Sequence, residues 1–263
     1  MSNKIILMAT TKPYDSYFKN IQLNAINSWL RLSMDKLIII NSDDPFNKES
    51  FSSDIVKIIP LKRQSPTGVP YVKDIFESGY EYYEEGDILC YINADIILQD
   101  DFCLTLKSLP LSSFKDYLIC GRKWSWMNKE EFLKIQTFPL DVSEVKKFGV
   151  LDQPCAIDFF IHNKGLFQNL IPDDMLIGRP NYDMWLNTLA FSRKAITIDI
   201  TNTCLPIHPG HEYGEKRTLR GPYYETIRDE VYASRKYESG NGTIDKFKYY
   251  TILEGGNIII RER

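Results

Sequence analysis

With 263 residues, 43% of them hydrophobic, the chain can bury roughly three quarters of its unfolded surface in one core, so it needs no disulfide or metal staple for stability. A net charge of −3, from 32 Lys and Arg against 35 Asp and Glu, argues against nucleic-acid binding by a basic surface. The five cysteines (Cys90, Cys103, Cys120, Cys155, Cys204) are never spaced C-x-x-C and read as reduced core residues of a cytosolic protein; the start MSNKIILMATT lacks the pattern of a signal peptide, and no run of about 18 apolar residues offers a transmembrane segment.

In chain order, Lys4 to Ala9 reads as a first apolar strand running into Thr10-Thr11. A helix follows from Ser16 to Trp29, with Phe18, Ile21, Leu23, Ala25, Ile26 and Trp29 as an approximate apolar stripe. Leu37 to Ile40 is a second strand ending near Asp43, and Ile55 to Ile59 a third ending near Lys62-Arg63. A loop and helix occupy Gly68 to Glu84, before the strand Ile88 to Ile92 and its polar end Asn93-Ala94-Asp95. Strands joined by helices pair in parallel, which sends their polar ends to one edge of the sheet, where α/β ligands bind. No glycine-rich phosphate loop is present, so a phosphate needs another counter-charge, and a divalent cation on Asp95 would serve.

The second half is less regular. Tyr117 to Cys120 is a strand leading to GRKWSWM, and a polar loop and helix fill residues 128 to 148. Ala156 to His162 is a strand that carries a carboxylate, and residues 176 to 191 form a loop entering a helix near Pro180, with Met184, Trp185, Leu189 and Ala190 on its buried side. Ile196 to Ile200 is a strand, and the text after Glu215 is basic and tyrosine-rich helix with a final strand at Asn257 to Ile260. The fold expected is a single α/β domain with a mostly parallel central sheet flanked by helices: residues 1–100 as a nucleotide-binding half, 101–214 as an acceptor and metal half, and 215–263 as a C-terminal extension.

Several residues carry two readings each. Asp95 is either a turn cap or a metal ligand. His208 and His211 flank Pro209-Gly210, which excludes a helix, so they are either surface histidines on a turn or imidazole ligands. A shell of carboxylate, imidazole and diphosphate oxygens suits Mn²⁺ or Mg²⁺ better than zinc. Asp183, one or two residues into a helix, is either a charge stabilising the helix start or a general base. Asp158, between Ile157 and Phe159-Phe160, needs a partner if buried and is either a hydrogen-bond anchor or an acceptor ligand. Trp124 and Trp126 either pack in the core or stack on sugar.

The order of strand, Asn93-x-Asp95, Asp158 in an aromatic strand, Gly178-Arg179-Pro180-x-x-Asp183-x-Trp185 and His208-x-x-His211-x-Tyr213 resembles GT-A fold glycosyltransferases that use nucleotide sugars, in particular the small polysaccharide-type enzymes of bacteria and large viruses. The resemblance covers roughly residues 4 to 214. It implies Asp95 at the metal-holding last position of the family's Asp-x-Asp motif, with Asn93 where the first Asp usually stands, and one of His208 and His211 as the C-terminal metal histidine. It implies Asp183 as the base of an inverting transfer. By the same likeness Thr10, Thr11, Asp43, Arg63 and Asn93 fall on the donor side, and Trp124, Asp158 and Arg179 on the acceptor side. The implied cofactor is Mn²⁺ or Mg²⁺. The implied donor is a nucleotide-diphosphate sugar, a UDP-sugar before a GDP-sugar; the implied acceptor is a glycan or lipid-linked glycan, met by a cytoplasmic enzyme at most peripheral to the membrane. Two alternatives remain: a sugar nucleotidyltransferase, against which MATTKPYD offers no glycine, and a non-catalytic glycan- or nucleotide-binding protein in which Asn93 marks a decayed site.

Overall fold

The computed structural model describes residues 4–12, 16–41, 51, 53–128, 132, 138–209, 222–238 and 241–263. Its strands are β1 (Ile5–Thr10), β2 (Lys36–Asn41), β3 (Val56–Pro60), β4 (Ile88–Ile92), β5 (Tyr117–Cys120), β6 (Trp124–Trp126), β7 (Gly149–Leu151), β8 (Phe159–His162), β9 (Ile196–Asp199), β10 (Ile207–Pro209), β11 (Tyr249–Glu254) and β12 (Asn257–Glu262). The α-helices are α1 (Ser16–Leu30), α2 (Val72–Tyr80), α3 (Asp100–Ser108), α4 (Val142–Phe148), α5 (Lys164–Phe167), α6 (Tyr182–Ser192) and α7 (Pro222–Ser234).

Nine strands form one sheet in the order β12-β11-β9-β5-β8-β4-β1-β2-β3, and β10-β6-β7 form a smaller one. Within the large sheet only β8 and β12 run against the others, so the sheet is mixed but mainly parallel and draws strands from both halves of the chain. A sheet covered on both faces needs strands that are apolar throughout, and β1, β2, β4, β5 and β8 meet that condition, with nearly every residue buried. Alternation then sorts their side chains between two cores. Ile5, Leu7, Ile39, Cys90 and Ile119 face α1 and α3 through Ala25, Ile26, Trp29 and Phe102. Ile6, Met8, Ile38, Leu89 and Leu118 face α2 and α6 through Ile75, Phe76, Leu186 and Ala190.

Several expectations require correction. Helix α3 follows the Asp95 segment where no element was expected; its acidic first turn, Asp100 and Asp101, suits a helix start. The strand expected from Ala156 begins only at Phe159, which leaves Asp158 just outside the sheet. Helix α6 starts at Tyr182 rather than Pro180, because Asn181 has a left-handed φ of 74° and stands outside the helix. Its buried face is Tyr182, Leu186, Asn187 and Ala190, so of the four residues expected there only Ala190 is fully buried. The tyrosine-rich tail is helical only in part: Tyr249–Glu254 is strand β11, which forms a hairpin with β12. Four cysteines are buried, but Cys155 is exposed. Among the described residues, no helix is long and apolar enough to cross a membrane.

Candidate active site

The end of β4 is held from outside the sheet. Asn93 accepts at its carbonyl from the Ile96 amide, 3.2 Å away, which closes a turn around Asp95. The indole of Trp29 on α1 donates to the Ile96 carbonyl at 2.8 Å, and Ser28 accepts from the Leu98 amide at 3.1 Å. An isolated bridge then pairs Ile97 with Ile207, each amide donating to the other's carbonyl at 2.8 and 2.9 Å. That bridge brings β10 beside the turn and leaves His208 Nε2 3.6 Å from Asp95 Oδ2, with both side chains largely buried. Two ligands of one Mn²⁺ or Mg²⁺ ion, each about 2.0–2.2 Å from it, stand roughly 3 Å apart, so this carboxylate and imidazole fit a shared cation after a small movement. Among the described residues no group of three or more His, Cys, Asp or Glu side chains could hold a metal, so further ligands would come from phosphate or water oxygens. His211 and Asp43 lie outside the described residues.

A hydrogen-bonded chain runs along the same edge. Thr10 Oγ1 and the Tyr91 hydroxyl are 3.4 Å apart, and Tyr91 donates to Asn93 Oδ1 at 3.1 Å. The Asn93 amide donates to Asp158, whose other oxygen takes the ammonium of Lys123. Lys123 also lies 3.3 Å from Asp152, which accepts from Ser125 at 2.9 Å. Asp158 therefore has a partner on each oxygen, which answers the need created by its apolar neighbours. Burial lowers the Lys123 pKa, and the fields of Asp152, Asp95 and Asp183 oppose that shift. One ammonium is thus set among four carboxylates.

Asp183 stands at the second position of α6, where Oδ1 accepts from the Met184 amide at 2.8 Å. Burial raises its carboxyl pKa, while the adjacent amides and Lys123 pull it back. A raised carboxyl is better matched to taking up a proton near neutral pH than an ordinary one.

The remaining expected residues are placed as follows. The Thr11 hydroxyl is buried with no hydrogen-bond partner among the described residues, and its amide donates to Ile40 at 3.4 Å. Arg63 donates twice to Asp74 on α2, both bonds at 2.8 Å, and stacks over Tyr71. Arg179 is paired with Glu230 of α7 at 2.6 Å. Trp124 is in register with Ile207, and its neighbour Ser125 with His208. Alternation therefore puts Trp124 on the face of the small sheet away from His208, packed against Trp126, Phe132 and Val145. Lys123, Tyr91 and Asp152 were not anticipated. Lys123 had one readable signal, a basic residue just past the carboxyl end of a strand. A cavity of about 470 Å³, lined by Lys115, Asp116, Arg193 and Ile196, opens at the opposite edge of the sheet and shares no residue with this cluster.

No protein-family model matches the chain, and no curated protein sequence does either. Solved structures that match the chain include 4-diphosphocytidyl-2C-methyl-D-erythritol synthase from Anaerococcus prevotii (9% identity, 89% of this chain and 100% of that one, TM-score 0.45). A protein from Desulfovibrio desulfuricans assigned as a nucleotide-diphospho-sugar transferase matches at 11% identity over 91% of this chain and 100% of its own, TM-score 0.45. Residues 1–349 of S. aureus TarS match at 9% identity over 52% of this chain and 38% of that one, TM-score 0.33. Similarity at this level assigns neither substrate nor reaction.

Proposed function

We propose that the protein is a metal-assisted, inverting glycosyltransferase that moves a sugar from a nucleotide diphosphate to a glycan hydroxyl. The observation that carries this reading is the meeting of Asp95 and His208, remote in sequence, at the carboxyl edge of a mainly parallel sheet, with the charges of both Asp95 and Asp183 acting on Lys123. Asp95 and His208 would hold Mn²⁺ or Mg²⁺, which supplies charge neutralisation for the departing diphosphate. Asp183 accepts the proton of the acceptor hydroxyl as that oxygen bonds to the anomeric carbon; the bond to the diphosphate oxygen breaks, and its electron pair leaves with the phosphate. One carboxylate on the acceptor side suffices for inversion through an oxocarbenium-like state. Lys123 holds Asp158 and Asp152 in place, and Asn93 ties Asp158 to the end of β4.

The test is release of nucleoside diphosphate from a panel of UDP- and GDP-sugars, with and without Mn²⁺, alongside a thermal-shift titration. A ligand at about 100 times its dissociation constant stabilises the fold by about 2.7 kcal/mol. The expected result is Mn²⁺-dependent release that Asp95→Ala and His208→Ala each abolish. Unchanged affinity and Mn²⁺ requirement in both variants would overturn the metal site. Pyrophosphate release from a nucleoside triphosphate and sugar phosphate would instead identify a nucleotidyltransferase. No binding of any nucleotide would identify a non-catalytic protein.

A further inference from the structure

The described residues between 222 and 247 approach the site without contributing a group to its chemistry, and several of their contacts fall on the segment that leads into Asp183. That segment, residues 175 to 181, first runs beside the entrance of α2: Val72 donates to Met175 at 2.9 Å and Ile177 to Pro70 at 3.1 Å. It then turns into α6 through two left-handed residues, Gly178 at φ 65° and Asn181 at φ 74°. A β-carbon at Gly178 would be strained there, and Asn is among the few other residues that adopt this conformation readily. Such a turn does not by itself determine where the helix begins.

Three contacts supply what the turn lacks. Glu230 of α7 accepts from Arg179 Nε at 2.7 Å and from the Thr67 hydroxyl at 2.8 Å, while Arg179 Nη2 donates to Thr67 at 3.0 Å. Both charged side chains are nearly buried, at 7% and 13% exposure, so this ion pair is strongly geometric: loss of one partner strands the other. Next, Tyr237 packs edge-on against Trp185, with ring centroids 6.1 Å apart, and its hydroxyl binds Asp174, just before the same segment. Finally, the backbone at Gly242 lies against the first turn of α6. Its carbonyl accepts from the fully buried Asn187 at 2.8 Å, and a β-carbon on Gly242 would stand 1.9 Å from the Met184 carbonyl oxygen.

We infer that Glu230 and Gly242 are positioning residues, through which the C-terminal segment sets the place and aim of the Asp183 carboxylate. The inference rests on the reading of Asp183 as the base. Arg179 accordingly acts through Glu230 and Thr67 rather than by meeting the acceptor.

Two variants test this. Glu230→Gln keeps the shape and removes the charge, and Gly242→Ala adds one methyl group against Met184. Hydrogen exchange read on the whole protein is expected to accelerate by about ten-fold or more across residues 178–187 in both, with β1 and β4 unchanged. Turnover is expected to fall by about 100-fold, the scale of a 1 Å misplacement, with the KM for the donor changed only a few-fold. The acidic limb of the kcat profile should also move, since Asp183 changes its burial; a merely structural loss would lower the amplitude and leave the limb in place. Unchanged exchange in residues 178–187 overturns the grip, whatever the activity. Accelerated exchange with full turnover and an unmoved limb overturns the positioning role. A parent protein that releases nucleoside diphosphate from no donor overturns the reading of Asp183 as base and the positioning role with it, while exchange still decides whether the C-terminal segment holds α6.

Discussion

Strands β1, β2 and β4 and the segment 222–263 reach order by different routes. In β1 every residue from Ile5 to Ala9 is buried, and the same alternation repeats in β2 and β4, so each side chain meets many neighbours of its own kind. The C-terminal segment joins the edge of the sheet through β11 and the second core through Ile244 and Phe247, and adds single-residue attachments set far apart: Glu230 on Arg179, Tyr237 on Trp185, Gly242 on Met184, and Arg263 on Asp199. Periodic burial is redundant, and losing one contact leaves the pattern. Point attachment is specific, and each contact has its own consequence. Helix α6 is where the two meet, with its buried face in the second core and its first turn held by the tail.

The largest effect is expected at that meeting point. Asp183→Asn keeps the shape of the side chain and its contact with the Met184 amide but removes the basicity, so turnover should fall by about 10²- to 10⁴-fold. Product anomeric configuration and single-turnover rates are the measurements. A variant within a few-fold of the parent, or a product that retains the donor's configuration, would leave Asp183 as a helix-start charge.

Stability should separate the two regions in a second way. Trp29 is fully buried and also donates to Ile96, so Trp29→Ala should cost about 3–5 kcal/mol and loosen the turn that carries Asp95. Leu253 in the β11–β12 hairpin is 67% exposed, and Leu253→Ala should stay within about 0.5 kcal/mol of the parent. Denaturant midpoints at equal slope decide this. A tail substitution as costly as the core one would mean that the hairpin is part of the same cooperative core.

The same contrast explains what could be read from the sequence. Strands β1, β2, β3 and β4 are visible as apolar runs ending on polar residues because their apolar residues are contiguous in the sequence. The approach of His208 to Asp95 has no such signature, since it depends on the bridge between Ile97 and Ile207; only the resemblance to a family put the two together. In the sequence a lysine between Arg122 and Trp124 looks like a loop charge, and only the fold sets Asp158 and Asp152 against Lys123. Strand β11 reads as helical text in the sequence because Tyr249 and Tyr250 carry no period, and the pairing of β11 with β9 and β12 decides its form. The sequence points to a start of α6 at Pro180 because proline is a common first helical residue, whereas here the left-handed Asn181 separates it from the helix.

The smallest effect concerns two buried titratable groups, one in a strand that was legible and one in a helix that was not. Burial pushes the His162 imidazole on β8 down to about 4, among the rings of Phe76 and Phe167. Its folded pKa lies below the unfolded value of about 6.5, so its contribution is complete above pH 6.5 or so and is lost as pH falls toward 4. Burial pushes Asp101 on α3 up to about 6, against the pull of the Leu205 amide. Its folded pKa lies above the unfolded value of about 3.9, so its contribution is complete below that value and is lost as pH rises through 6. Between about pH 4 and pH 6 the two slopes, each near 1.4 kcal/mol per pH unit, oppose each other and largely cancel. His162→Phe should expose the Asp101 slope, so that stability relative to the parent declines as pH rises across this window. Asp101→Asn should expose the other, so that stability relative to the parent climbs with pH. Urea denaturation of the three proteins at half-unit steps measures both, and profiles that stay parallel to the parent would show that neither group changes its proton affinity on folding.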